Sequence, residues 1–303
     1  MNPSIQHRPS ARSYAVLSIG AAIITIALKF GAYKLTGSVG LLSDAFESIV
    51  NLVAALAAFW ALSYAAKPPD AEHTFGHSKA EDFSSALEGF LILIAAGSIA
   101  VAAGQRLLDP QPIEQAGLGL LLALVATAIN GGVAWILLRA SRRLRSITLR
   151  ADAHHLLTDV WTSVGVVLGI GLVSVTGWYV LDPIIALLVA ANIVWTGITL
   201  LRETGSGLLD AAIPAEDQKL IEPILNTYQA QGIQFHAMRT RVAGAHRFVS
   251  FHVLVPGTWT VQRVFDLFTE IEHAIALALP GTDVTTHLEP AEDPVSWDDL
   301  KLN

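Results

Sequence analysis

Six apolar segments, at about 13–34, 40–64, 83–106, 116–138, 153–175 and 180–201, each approach the roughly twenty residues that a helix needs to cross a bilayer. No other feature of the chain constrains its fold as strongly. In hydrocarbon every backbone polar group must be satisfied within its own segment, so all six are predicted as helices. Composition agrees: of 303 residues 52% are hydrophobic and 15% charged, and the mean hydropathy is +0.51. A soluble domain that apolar would aggregate. The connections hold turn chemistry that ends helices, as in Thr36-Gly37-Ser38, Lys67-Pro68-Pro69-Asp70, Asp109-Pro110 and Gly177-Trp178, so neighbouring spans are expected to be antiparallel.

Basic residues set the expected orientation. Arg8 and Arg12 precede the first span, Lys67 and Lys79 flank the second loop, and Arg139, Arg142, Arg143, Arg145 and Arg150 crowd the fourth. Excess Lys and Arg mark the cytoplasmic side, which puts both termini there and predicts a multi-pass protein of the inner (cell) membrane. Residues 1–12 lack the short apolar core of a removable signal peptide. A net charge of -7 argues against a nucleic-acid partner. The absence of cysteine excludes disulfides, thiolate metal sites and cysteine nucleophiles, and leaves His, carboxylate and carbonyl groups as ligands.

The character changes near residue 210. Pro214-Ala215-Glu216-Asp217 opens an amphipathic helix to about 231, apolar alternation predicts strands over 234–241 and 247–255, Thr260 caps a helix to about 279, and 282–288 reads as a third strand. That αββαβ order suits a small α+β domain. The expected organisation is an α-helical polytopic membrane domain with six transmembrane helices over 1–209, a cytoplasmic α+β domain over 210–291, and an acidic tail over 292–303 containing Glu292, Asp293, Asp298 and Asp299.

Two of the apolar segments carry side chains that do not belong in lipid. Glu47 and Asn51 lie four apart in the second, His155 and Asp159 four apart in the fifth. Such pairs share a helix face and lie roughly 6 Å apart along the axis. In an antiparallel pair of helices Glu47 is expected level with Asp159, and Asn51 level with His155. Two carboxylates, an imidazole nitrogen and an amide oxygen could then surround one divalent ion, which would offset much of the cost of charge at membrane depth. The other reading is a hydrogen-bonded network tying two helices, but such networks use Ser, Thr, Asn or Gln more than carboxylates and histidine. Asp44 and Asp152, each three residues earlier, read either as exit and access waypoints for ions or protons, or as a helix cap and a headgroup residue respectively. In the second loop Asp70, His73 and His77 lie within eight residues, and a carboxylate with two imidazoles can close on one tetrahedral ion, with water or Glu72 as a further ligand. His236, His252, His287 and Glu289 lie on or near the predicted strands, which can bring such residues within a few ångströms.

These residues carry a family resemblance. Asp44-Ala45-Phe46-Glu47-Ser48-Ile49-Val50-Asn51, Phe75-Gly76-His77-Ser78-Lys79-Ala80-Glu81 and Arg150-Ala151-Asp152-Ala153-His154-His155-Leu156-Leu157-Thr158-Asp159 resemble the cation diffusion facilitators, and the similarity runs to His287-Leu288-Glu289-Pro290. The resemblance implies a homodimer of six-helix membrane domains with metallochaperone-like cytoplasmic domains, exporting divalent metal against protons. It maps the transport site onto Glu47, Asn51, His155 and Asp159, a loop site onto Asp70, His73 and His77, and a dimer-interface cluster onto His236, His252, His287 and Glu289. It also implies an ion pair between Lys79 and Asp210 near the dimer hinge.

Two positions depart from the family pattern. Glu47 and Asn51 stand where zinc members usually carry Asp or His and then Asp. Losing a carboxylate admits iron(II), cobalt or manganese, while His155 favours zinc or iron(II). Val264 replaces a histidine of the fullest cytoplasmic cluster, so a mononuclear site is expected there. The sequence reading is therefore a proton-coupled exporter of zinc or iron(II), with His155, Asp159 and Glu47 exchanging metal for protons. Selectivity for manganese or cobalt is the nearest alternative. An intramembrane metallohydrolase lacks the H-E-x-x-H arrangement, and a membrane metal sensor is the remaining one.

Overall fold

The computed structural model describes residues 11–36, 39–108, 117–178 and 180–301. The expected turns at Gly37-Ser38 and Asp109-Pro110, and the side chains of Asp44, Glu47, Asp298 and Asp299, lie outside the described residues. The chain forms two units, 1–205 and 206–303.

The first unit contains α1 (Ala11–Thr36), α2 (Val39–Ala65), α3 (Ala80–Leu108), α4 (Gly117–Leu144), α5 (Ile147–Thr176) and α6, which runs Leu181–Leu208. Among the described residues, four stretches are long and apolar enough to cross a membrane: Ala11–Gly31, Ala80–Leu108, Leu124–Leu144 and Pro183–Leu208. Within α2 the described apolar stretch is the shorter Asn51–Ala65, and α5 carries Arg150, Asp152 and Asp159. Large apolar side chains such as Ile24, Trp60, Ile94, Trp135 and Trp195 face outward, whereas Ser18, Asn51, Glu88, Asn130, Asp152 and Asp159 are buried. That inversion suits a solvent of lipid.

Packing places α2 and α5 together, as the polar spacings require. Leu62 of α2, Val133 and Leu137 of α4, and Leu149 and Leu156 of α5 form one core with the small residues of α1. A second core joins Ile92 of α3, Ala151 of α5 and Ile193 and Leu200 of α6. Glycine permits the α3–α6 approach: a Cβ at Gly89 would stand 2.7 Å from Leu201 Cδ2, and one at Gly197 would stand 2.8 Å from Leu93 Cδ2. Helix α4 continues past the expected 138 and ends where Arg145 takes a left-handed φ of 54°. Ser146 Oγ then accepts from Leu149 N at 3.3 Å, capping α5.

The second unit has α7 (Ala215–Gln229), β1 (Gln234–Ala243), β2 (His246–Val255), α8 (Val261–Ala278) and β3, spanning Thr282–Pro290. This is the expected αββαβ order. Thr260 caps α8 by accepting from Arg263 N at 3.3 Å. Strand order is β1-β2-β3, antiparallel then parallel, and α8 supplies the crossover that a parallel pair requires. Phe251, Val253, Ile221, Ile271 and Ile275 fill the helix-on-sheet core. Tyr228, on α7, donates to Glu270 at 3.1 Å; desolvation and that neighbouring carboxylate raise its pKa. The stretch expected as an acidic tail contains a 3-10 helix, Pro294–Lys301. Ser296 Oγ donates to the Pro290 carbonyl at 2.8 Å and Trp297 Nε1 to the Ala291 carbonyl at 3.1 Å, so two side chains among the acids tie the segment to β3.

Candidate metal centres

Asn51 is the hub of the intramembrane site. On α2 its amide Nδ2 donates to Asp159 Oδ2 of α5, while its Oδ1 lies 2.7 Å from His155 Nε2. All three side chains are buried. Asn51 meets His155, the residue expected at its level, and also Asp159, because its planar amide presents an acceptor and a donor side by side. Asn51 offers its oxygen to the imidazole, so the proton of His155 sits on Nε2. Nδ1 has no hydrogen-bond partner.

Sequence reasoning missed Asn130. It projects from α4, is buried, and donates to Asp159 Oδ2 at 3.0 Å, which leaves its own Oδ1 without a partner. The signal was present as a lone amide in the apolar run ALVATAINGGVAWIL, a pattern that also serves as ordinary helix glue. Asp152 does not sit among headgroups. Its side chain is 1% exposed and accepts from Ser18 Oγ of α1 at 2.9 Å.

The loop residues converge as expected. Asp70 Oδ1 lies 3.3 Å from His73 Nδ1, and Asp70 Oδ2 lies 3.2 Å from His77 Nε2. One ligand atom from each residue fits within 4.8 Å of the others. Two turn features build the cradle. The His73 and Glu72 N–H groups donate to Asp70 Oδ1 at 2.7 and 3.0 Å, and Gly76 takes φ +83° to return the chain to His77. The His73 backbone bond is the main cause that holds the Asp70 carboxyl below its ordinary pKa. Buried His77 is packed edge-on by Tyr64, with ring centroids 4.7 Å apart, and its Nδ1 has no partner. A cation on Nε2 suits that donor set.

The sheet aligns the third group. Pairing places His236 opposite His252, and His252 opposite His287, so three strands present one row of imidazoles. Glu289, two residues after His287, shares its face. Its Oε2 is 2.6 Å from His236 Nε2 and its Oε1 is 2.9 Å from His252 Nδ1. His287 stands further off at 4.0 Å and is mostly exposed. The compact set is thus His236, His252 and Glu289. A bulge follows His236, where Ala237 has φ 50°, a device that re-aims strand side chains beside sites. Val264 is buried in the core beneath the sheet, beside Ile271 and Ile275. His246 and His273 are exposed and line an open cleft of about 500 Å³ with Glu272 and Asp283. Asp210 receives Arg241 Nη1 at 3.2 Å within its own unit.

Carboxylate, imidazole and amide groups buried where hydrocarbon would otherwise sit mark ion or proton pathways in membrane proteins, and a helical membrane protein with a buried polar centre is the class that fold and site define. The cation efflux transmembrane domain matches residues 15–209, and the cation efflux protein cytoplasmic domain matches 213–291. The chain belongs to the cation efflux family, the cation diffusion facilitators, and its second unit is that family's cytoplasmic dimerisation domain. It is 61% identical over 287 residues to an uncharacterized transporter of Synechocystis sp., covering 95% of this chain and 93% of that one. It is homologous to the cation-efflux pump FieF of Klebsiella pneumoniae, at 30% identity over 292 residues and 96% of each chain. A solved structure of the zinc transporter CzrB shares 34% identity over 26% of this chain and 96% of its own, with a TM-score of 0.25.

Proposed function

We propose that the protein is a homodimeric antiporter with six transmembrane helices, both ends in the cytoplasm, which exports divalent transition metal in exchange for protons. Zinc and iron(II) are the favoured cargoes, ahead of manganese and cobalt. The observation that carries this reading is the buried ring of Asn51, His155 and Asp159 joining α2 to α5. Glu47, one turn earlier on α2, completes the ligand set in this reading. A divalent ion at that point needs the Nε2 lone pair and the Asp159 oxygens, so the imidazole proton moves to Nδ1 and any further proton held by His155, Asp159 or Glu47 must leave before metal is held. Protonation reverses the step. Alternating access then requires only that one orientation favours metal and the other favours protons.

Two further proposals follow from the remaining clusters. Asp70, His73 and His77 would hold a cytoplasmic loop ion, and His236, His252, His287 and Glu289 would hold one beside the dimerisation surface.

The proton claim is tested by titrating zinc into protein carrying Asp70→Ala and His236→Ala, in buffers of different ionisation enthalpy. The expected result is proton release on binding that falls when His155 becomes Ala. Zinc binding without proton release would overturn it.

A further inference from the structure

Helix α4 brings Asn130 to the same carboxylate oxygen that receives Asn51. Asn130 is 2% exposed, and its Nδ2 donates to Asp159 Oδ2 at 3.0 Å. Amides from two helices, α2 and α4, therefore converge on one oxygen of α5. The backbones of α4 and α5 run close at this level. Gly131, the next residue on α4, has no side chain, and a Cβ there would stand 3.6 Å from Cγ2 of Val160, the residue after Asp159. A side chain as short as asparagine can thus reach across from α4.

A residue that only tied α4 to α5 would need a donor and nothing more. Asn130 also buries a carbonyl oxygen, Oδ1, which has no hydrogen-bond partner among the described residues. An unmet buried acceptor opposes folding, and a hydroxyl would tie the helices without stranding a carbonyl. The stranded oxygen gains a use once a cation occupies the site. An amide is roughly two-fold about its terminal torsion, so a half-turn puts Oδ1 where Nδ2 now stands, 3.0 Å from Asp159 Oδ2. Two oxygens so spaced match neighbouring ligands of an octahedral ion with bonds of about 2.1 Å. Glu47, Asn51, His155 and Asp159 are the ligands in the transport-site reading. Asn130 adds one more oxygen to a set in which His155 is the one nitrogen donor. Zinc is satisfied by four ligands, whereas oxygen-rich shells of higher count suit harder ions.

We propose that Asn130 is a specificity-determining ligand of the transport site: its Oδ1 joins Asp159 on the cation and favours manganese and iron(II), which take more than four ligands, over zinc. Metal entry turns the amide, and the hydrogen bond to Asp159 Oδ2 is lost as Oδ1 takes its place beside that oxygen. The inference deepens the transport-site reading and rests on it.

Cobalt(II) absorption reads the ligand count, because four-coordinate cobalt absorbs visible light far more strongly than cobalt with five or six ligands. Full-length protein carrying Asp70→Ala and His236→Ala is titrated with cobalt, manganese and zinc. That background is expected to give weak cobalt bands. Adding Asn130→Leu is expected to intensify them and to weaken manganese binding about tenfold more than zinc binding. A purely structural role at Asp159 would weaken all three ions alike and leave the bands weak, which overturns the proposal. Asn130→Asp keeps the oxygen and is expected to keep the weak bands, and intense bands there would also overturn it. Should Asn130→Leu not fold, the background protein still decides, since intense four-coordinate bands in it exclude the added ligand. If Asp159→Ala abolishes cobalt binding while Asn130→Leu changes nothing, this inference alone falls. Cobalt binding that survives Asp159→Ala overturns the transport-site reading with it.

Discussion

Asn51→Asp changes the hub of the site without changing its shape, and its consequences can be worked through. The native amide donates to Asp159 and accepts from His155. An aspartate in its place removes the donor and sets two carboxylates against each other, and such a pair retains a proton in the metal-free state. With a divalent ion bound the second carboxylate is an asset. A unit charge pair at about 4 Å with an effective dielectric of about 20 is worth roughly 4 kcal/mol. Loss of the native hydrogen bond and expulsion of the retained proton offset most of that gain. We expect a net gain of about 1.4–3 kcal/mol, or roughly ten- to a hundredfold in affinity, at alkaline pH. While the extra proton is bound, each unit of acidification takes back about a factor of ten. Calorimetric titration with zinc, iron(II), manganese and cobalt at two pH values, in the Asp70→Ala and His236→Ala background, measures both effects. No gain for any of the four ions would show that Asn51 is not a ligand.

The other predictions concern the loop and the cytoplasmic domain. Asp217→Ala leaves Arg247, which donates to it at 2.8 Å from a buried position, without its partner, and should lower stability by about 3–5 kcal/mol in denaturant titration. Gly76→Ala forces a side chain onto φ +83°, which should cost about 1 kcal/mol and weaken metal binding at Asp70, His73 and His77, read by cobalt absorbance. Asp70 has its pKa lowered from 3.8, so its contribution to the loop is present above that value and lost only as pH falls through the lower folded value. Acid titration of the Asp70 carboxyl by NMR should give a midpoint below 3.8, and a midpoint above it would contradict the turn geometry.

Much of the site was legible because its signals are local. Four-residue spacings placed Asn51, His155 and Asp159 on facing helix surfaces, and eight loop residues held Asp70, His73 and His77. Strand alternation placed the cytoplasmic histidines near one another, but pairing of His236 with His252 and of His252 with His287 depends on register, which includes a bulge. Asn130 escaped notice for a different reason. A single amide in a helix has no spacing partner, and its importance comes from the neighbouring helix it faces. Trp297 and Ser296 show the same limit, since a composition rich in acids concealed two anchoring hydrogen bonds.

Simultaneous recording of zinc uptake and lumenal pH in sealed vesicles separates exchange of metal for protons at one buried site from uncoupled zinc movement. The wild type should take up zinc only with an opposing proton gradient and dissipate that gradient as zinc moves, and Asp159→Ala should do neither. Zinc uptake that ignores the gradient, or that survives Asp159→Ala, would rule out proton exchange at this site.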